Sequence, residues 1–399
     1  MSVPTQNANI QALRALAAVL VVVGHALHET ETIAKLVGRP APDLSFVYWG
    51  FGVDIFFVIS GFIMVYTSVD LFGRPGAWRT FLARRITRIV PLYWLLTTVL
   101  LIGGLIAPRL LNVPIDDWQH VLASYAFIPS ERIPGEIRPV MALGWTLNME
   151  MFFYVIFAAT LALPFRAGMM VLTAAIGGFA IAGFLFKPEQ VQLAFWTQSI
   201  ILEFLMGALL AVAYLKGARL AGPAALVCAA LGLVGMIKYP GFDTGADAPD
   251  ALRWGVPALL IVASAALAKS STSRLVLWGA VIGNASYSLY LIHPFVLRPM
   301  RNIWAHLVGA SLPLTVYVIA VTILSTGVAF LLYRWVERPM LRLVQKRRPD
   351  LPRAPRSSAA VTASEVPAIE AGFLSPCPCA RRPRHRSSRN PSPSSQPAR

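Results

Sequence analysis

Arg14 and His25 lie eleven residues apart in one apolar run. At about 100° per residue this spacing returns to nearly the same helix face, and at 1.5 Å rise it separates the two side chains by roughly 16 Å. A single helix would then offer a guanidinium and an imidazole to one cavity. Imidazole is the side chain best suited to accept a proton near neutral pH. The plainer alternative is an arginine snorkelling at a helix start and a histidine at a membrane interface. Spacing alone leaves the two evenly matched.

A second set of cations, Arg84, Arg85 and Arg88, precedes Pro91 and Trp94. Arg84 and Arg88 are i,i+4 neighbours on one helix face. Guanidinium forks fit phosphate oxygens two at a time, so the block could cradle a cytosolic phosphorylated donor. It could equally anchor the chain to lipid phosphates. Glu150 follows Trp145 by five residues within an apolar run. A carboxylate that deep needs a partner or a proton. It could orient a histidine, accept a proton or bond a substrate hydroxyl, or it could pair with an arginine of another helix. Asp54 and Glu203 pose the same choice, and structural pairing is the expectation for both. His293 precedes Pro294 near a helix end, where substrate binding and simple chain turning compete. Tyr287 and Tyr290, three residues apart, share a face there. Glu337 is expected to be a structural anchor.

The elements that must position these groups are read from composition. The chain has 399 residues, 56% hydrophobic and 14% charged, with a mean hydropathy of +0.61. Uncharged apolar runs of about 18 or more read as bilayer spans. Backbone groups in lipid must be satisfied internally, so each run should be a helix. About ten such runs occur: 10–28, 48–67, 89–107, 141–163, 168–186, 196–215, 220–238, 253–268, 276–297 and 313–333. The expected fold is all-α and polytopic. The first run carries Arg14 and has no basic leader or small-residue cleavage site, so it is expected to be retained as a span. The aromatic residues Trp49, Tyr93, Trp94, Trp145 and Trp335 are first explained by interfacial belts.

Lys and Arg are denser in loops 68–88, 164–167, 216–219 and 269–275 than in the intervening loops, which places both termini in the cytoplasm and the chain in the inner (plasma) membrane. Net charge is +16, and from Arg342 onward 12 Lys or Arg face 3 Asp or Glu. The division expected is a transmembrane domain over 1–340 and a basic tail rich in Pro, Ser and Arg over 341–399, disordered and cytoplasmic. Such a balance suits membrane lipids, not nucleic acid, because no zinc-finger spacing or RNA-binding signature accompanies it. Cys228 stands alone in an apolar run, and Cys377 and Cys379 in the tail imply neither a disulfide framework nor a metal site. There is no phosphate-binding Walker loop, no GxSxG elbow and no HExxH. The absence of an internal repeat weakens a transporter reading.

In order along the chain, these segments resemble the membrane acyltransferase 3 family. The blocks are Arg14 with His25, Phe56 to Phe62, the Arg84/Arg85/Arg88 block before Pro91 to Trp94, Trp145 to Leu147 with Glu150, Ser286 to His293, and Glu337 to Pro339. The resemblance runs from about Ile10 to Pro339. Asn9 to Arg14 and Gly144 to Tyr154 look closest to the exopolysaccharide O-acetyltransferase branch. The resemblance implies about ten helices, transfer of an acyl group, acetyl in the expected case, from cytosolic acyl-CoA to a hydroxyl of an exopolysaccharide or another surface glycan, and no permanently bound cofactor or metal. It implies that Arg84, Arg85 and Arg88 hold CoA phosphates, that His25 is the general base, and that Arg14 positions the thioester or the pantetheine arm. It also implies that Glu150 and His293 orient the acceptor or His25, with Tyr290 and Trp145 beside the acceptor. The basic tail departs from the family. A permease for a lipid-linked glycan is the second reading and a subunit of an export complex the third.

Overall fold

A computed structural model describes residues 7–38, 40–42, 46–106, 117–237, 250–309 and 311–347. The described residues are mostly helical. Asn7 caps the first helix, α1 (Ala8–Val37), by accepting the Asn9 N–H, and Gly38 closes it in the left-handed conformation at φ 68°, its N–H donated to the Ala34 carbonyl. Next come α2 (Phe51–Ser68) and α3 (Ala77–Ile106), the latter carrying Pro91 internally. A short helix, α4 (Trp118–Tyr125), is capped by Asp117 and leads into an antiparallel ribbon, β1 (Glu131–Ile133) and β2 (Glu136–Ile137), with Glu131 opposite Ile137. The chain continues through α5 (Trp145–Thr160), α6 (Phe165–Phe186), α7 (Val191–Trp196), α8 (Leu202–Leu215), α9 (Gly222–Gly235) and α10 (Val256–Leu267). It ends with α11 (Arg274–Asn284), α12 (Ser286–Ile303), α13 (Leu314–Leu332) and α14 (Arg338–Arg347).

Among the described residues, six helical segments are long and apolar enough to cross a bilayer: α1, Phe51–Leu71, α3, Ala142–Thr160, α6 and Leu314–Leu343. A seventh is the pair α11 with Ser286–Val308, bent by 68°. The remaining three expected spans fall on the shorter apolar segments Ser199–Leu215, Gly222–Gly235 and Ala251–Leu267. These fall short of the ~20 residues that a full crossing asks for. Two boundaries differ from the sequence reading. Helix α1 continues nine residues past 28, and α3 begins at Ala77, so Arg84, Arg85 and Arg88 lie within a helix and not at its start. The expected domain border at 340 is crossed by α14, whose backbone stays helical to Arg347. Residues 348–399, with Cys377, Cys379 and the expected disorder, lie outside the described residues.

In lipid, helices associate by close van der Waals contact, and small residues let backbones approach. The tightest such pair is α2 with α8. A Cβ on Gly61 would strike the Phe204 carbonyl oxygen, and one on Gly207 would strike that of Val58. Beside this seam Phe57 stacks on Phe204 at 4.4 Å, and Phe153 of α5 stacks on its other side at 4.7 Å. Helix α11 meets α1 in the same way, with Gly283 against the Gln11 carbonyl. Holding α11 there while the chain breaks at Ala285 turns α12 inward. The fully buried surface of Ser286, Ser288, Leu291 and His293 follows from that turn.

Candidate active site

Polar side chains collect at two depths along the same helices, the inner being the one nearer the N-terminus of α1. At the inner depth Arg14 of α1 lies within electrostatic reach of Arg88 on α3, Glu150 on α5 and Glu337. Arg85 lies within reach of Arg88, Glu150 and Tyr154. Glu150 Oε1 accepts from Ser60 Oγ at 2.7 Å and from the Tyr154 hydroxyl. Glu337 is carried inward by a π-helical turn over Tyr333–Glu337, a distortion frequent at functional sites. Its Oε2 accepts from Ser288 Oγ at 2.6 Å, while its Oε1 is buried with no hydrogen-bond partner among the described residues. The Tyr287 hydroxyl donates to the Ile89 carbonyl at 2.7 Å and ties α12 to the arginine helix. Arg85 Nη2 donates to Thr67 Oγ1 at 3.4 Å, and its guanidinium lies 5.5 Å from the Phe81 ring centre. Three guanidiniums thus face two carboxylates, an arrangement with a cationic surplus that suits an anionic ligand. Arg84 is half-buried at the edge of this group, next to Arg85.

At the outer depth His25 and His293 meet. Their ring centroids are 5.0 Å apart with the planes at 61°. Each ring is fixed by its own helix: His25 Nδ1 lies 2.8 Å from the Val21 carbonyl oxygen, and His293 Nδ1 lies 3.1 Å from that of Leu289. A carbonyl can only accept, so Nδ1 is the donor in both rings. In the neutral imidazole Nε2 then carries the lone pair. His293 is fully buried and its Nε2 has no partner among the described residues, whereas His25 is open to the surroundings. Arg301 Nη1 bonds Glu29 Oε2 at 2.8 Å, one turn beyond His25, and clamps α12 to α1.

Tyr290, one turn before His293, shares a 2.8 Å hydrogen bond with Thr146 Oγ1 and donates to the Leu143 carbonyl at 3.0 Å. Its hydroxyl is therefore engaged in seating α12 on the start of α5. Trp145 stands edge-on to Phe57 at 6.2 Å between centroids, next to that junction. Glu150 belongs with the arginines: its hydrogen-bond partners are Ser60 and Tyr154, and the His25 and His293 Nδ1 atoms are held by backbone. Among the described residues Asp54 and Glu203 do not pair with arginines. The charged groups acting on them are each other and Asp250, because the α2–α8 seam faces both inward at 1% and 0% exposure.

Sequence reasoning set Glu337 aside as an anchor and passed over Ser60, Tyr154, Ser288 and Arg138. Four of these five had a signal, since Ser60, Ser288, Glu337 and the turn after Glu150 all fall in or beside the ordered blocks. Arg138 had none. It follows β2, and the folded loop brings its charge to bear on both His25 and Tyr290. That loop is pinned by His120, whose Nδ1 is 2.9 Å from Ser130 Oγ, and by Ser124 Oγ, which accepts the Val140 N–H at 2.9 Å. Burial holds the His120 imidazole below its usual value, with Asp117 opposing that shift.

Several apolar helices long enough to cross a bilayer, with ionisable side chains gathered between them, define a multi-pass membrane protein with a polar interior. The chain belongs to the acyltransferase family whose domain, described as "Acyltransferase domain", matches residues 7–334, and it is an O-acyltransferase. It is 36% identical over 306 residues to the exopolysaccharide production protein ExoZ of Rhizobium meliloti (strain 1021), covering 74% of this chain and 91% of that protein. It is 26% identical over 345 residues to the acyltransferase MdmB of Streptomyces mycarofaciens, covering 74% of this chain and 82% of that one. No solved structure matches.

Proposed function

We propose that the protein transfers an acetyl group from cytosolic acetyl-CoA to a hydroxyl of an exopolysaccharide outside the inner membrane, across about ten helices with both termini in the cytoplasm. The observation that carries this reading is the contact between His25 and His293 on the two helices, α1 and α12, that also furnish Arg14 and Ser288 to the arginine chamber. Arg84, Arg85 and Arg88 hold the donor's phosphates, and no resident cofactor is required. The pantetheine arm runs along α1 past Arg14 towards His25, a gap of roughly 16 Å by helix rise. His25 Nε2 takes the proton from the sugar hydroxyl as its oxygen attacks the thioester carbonyl. The C–O bond forms, the C–S bond breaks, and the imidazolium returns the proton to the departing thiolate. Arg14 positions the pantetheine arm on its way, and Arg138 from the loop steadies the oxyanion. Trp145, Tyr290 and His293 wall the acceptor side, and Glu150 fixes the arginines. The kinship with ExoZ supports a polysaccharide acceptor.

The test uses the purified full chain in lipid vesicles with acetyl-CoA on one side and deacetylated exopolysaccharide on the other. Thiol release dependent on polymer, with acetyl signals appearing in the polymer NMR spectrum, is expected. Polymer movement without thiol release would establish a permease instead.

A further inference from the structure

Next to the arginine chamber lies an aromatic cluster that the transfer chemistry does not use. Phe62 and Tyr66, one turn apart on α2, have ring centroids 5.8 Å apart with planes at 14°. Tyr214, near the end of α8, meets both edge-on, at 5.8 Å from Phe62 and 5.6 Å from Tyr66. Arg219, in the loop after α8, lays its guanidinium 4.0 Å from the centre of the Tyr214 ring. Its Nη1 donates to the Tyr214 carbonyl at 2.9 Å and to that of Ala218 at 2.6 Å, so the plane of the group is fixed. Phe62 is buried at 4% exposure, whereas Tyr66 is 41% exposed and Arg219 is also exposed. Both exposed groups are braced by the Tyr214 ring, which Arg219 covers and Tyr66 meets edge-on.

The neighbouring residue on α2 is Thr67, and Thr67 Oγ1 receives the Arg85 hydrogen bond. The cluster and the arginine block thus occupy adjoining faces at one end of α2. In a nucleotide, base and pyrophosphate are separated only by a ribose. Flat heteroaromatic bases stack on tyrosine rings and on guanidinium planes without reading sequence. From this juxtaposition we infer that Tyr66 and Arg219, both braced by Tyr214, form the platform for the adenine base of the donor, with Arg85 on its phosphates. The inference rests on the nucleotide-donor reading above. It assigns a second foothold to the donor, about one nucleoside away from the phosphates.

Equilibrium dialysis of the full chain in nanodiscs against labelled CoA, and separately against pantetheine, tests it. Tyr66→Ala and Arg219→Ala are each expected to weaken CoA binding about fivefold or more, the value of one lost base–aromatic stack, and to leave pantetheine binding unchanged. Tyr66→Trp is expected to retain CoA. Wild-type CoA affinity in both alanine variants overturns the platform while leaving the donor reading intact, and marks the rings as an interfacial belt. An equal loss for pantetheine overturns it too, since the substitution has then distorted the whole site. A wild-type chain that binds no CoA overturns the donor reading and the platform together.

Discussion

The inner chamber and the outer imidazole pair are built on opposite rules. Around Glu150 and Glu337 one oxygen of each carboxylate is held by hydroxyls, those of Ser60 and Tyr154 on Glu150 and that of Ser288 on Glu337, and the guanidiniums retain a surplus of charge. Around His25 and His293 the nearest polar partners are main-chain carbonyls of the same helices, so the rings are oriented while each Nε2 stays available. In the proposed mechanism one region holds charge for recognition and the other keeps lone pairs for proton transfer. The contrast teaches that a single helix, α1, serves both tasks because its Arg14 and His25 are three turns apart.

The contrast can be broken most severely at the imidazoles. His25→Ala is expected to lower the transfer rate by roughly 10²–10⁴-fold, the usual worth of a general base, while CoA binding in the dialysis assay stays at the wild-type level. Loss of binding together with rate would show that the two depths are not separate. A smaller effect sharpens the inner half: Arg88→Ala should weaken CoA by about tenfold, the scale of one charge-assisted hydrogen bond, and flatten its salt dependence. A turnover defect at saturating CoA would place Arg88 in the chemistry instead.

The smallest expected effect concerns the loop that carries Arg138 towards the outer pair. Burial favours neutral His120, so the loop's stability is fully present above the ordinary histidine range and falls as pH drops through about 6.5, where the unfolded loop binds the extra proton. Hydrogen exchange over 118–140 should therefore quicken at pH 5.5 relative to 7.5, after correction for intrinsic rates. His120→Gln should remove that difference. An unchanged pH response in the variant would assign the effect to another group.

Much of this arrangement could be read from the residues. The apolar runs gave the helices because lipid allows the backbone few alternatives, and the ordered blocks gave the family. Three runs counted as spans, 196–215, 220–238 and 253–268, fall on shorter helices, since composition alone does not show where a helix starts and stops. Arg14 and His25 were readable as one helix face. That His293 rather than Glu150 would stand against His25 depended on the break at Ala285, which no proline or glycine at that position announces. Glu337 looked like an anchor because its inward aim comes from a π-helical turn, a register change without a composition signature. Arg138 was invisible because only the folded ribbon and the His120–Ser130 contact carry it to the site.

The glycine seam of α2 and α8 bears on how anything reaches the far side of the membrane. Two main chains pressed carbonyl to Cα have no soft layer in which to slip, so a half-turn slide along that seam would set residues with side chains against the Phe204 and Val58 carbonyls that Gly61 and Gly207 now accommodate. A carrier that alternates its opening needs such a slip. In the transfer reading the scaffold stands still instead, and the traffic across it is reduced to the smallest cargo available, an acyl group passed from one fixed station to the next.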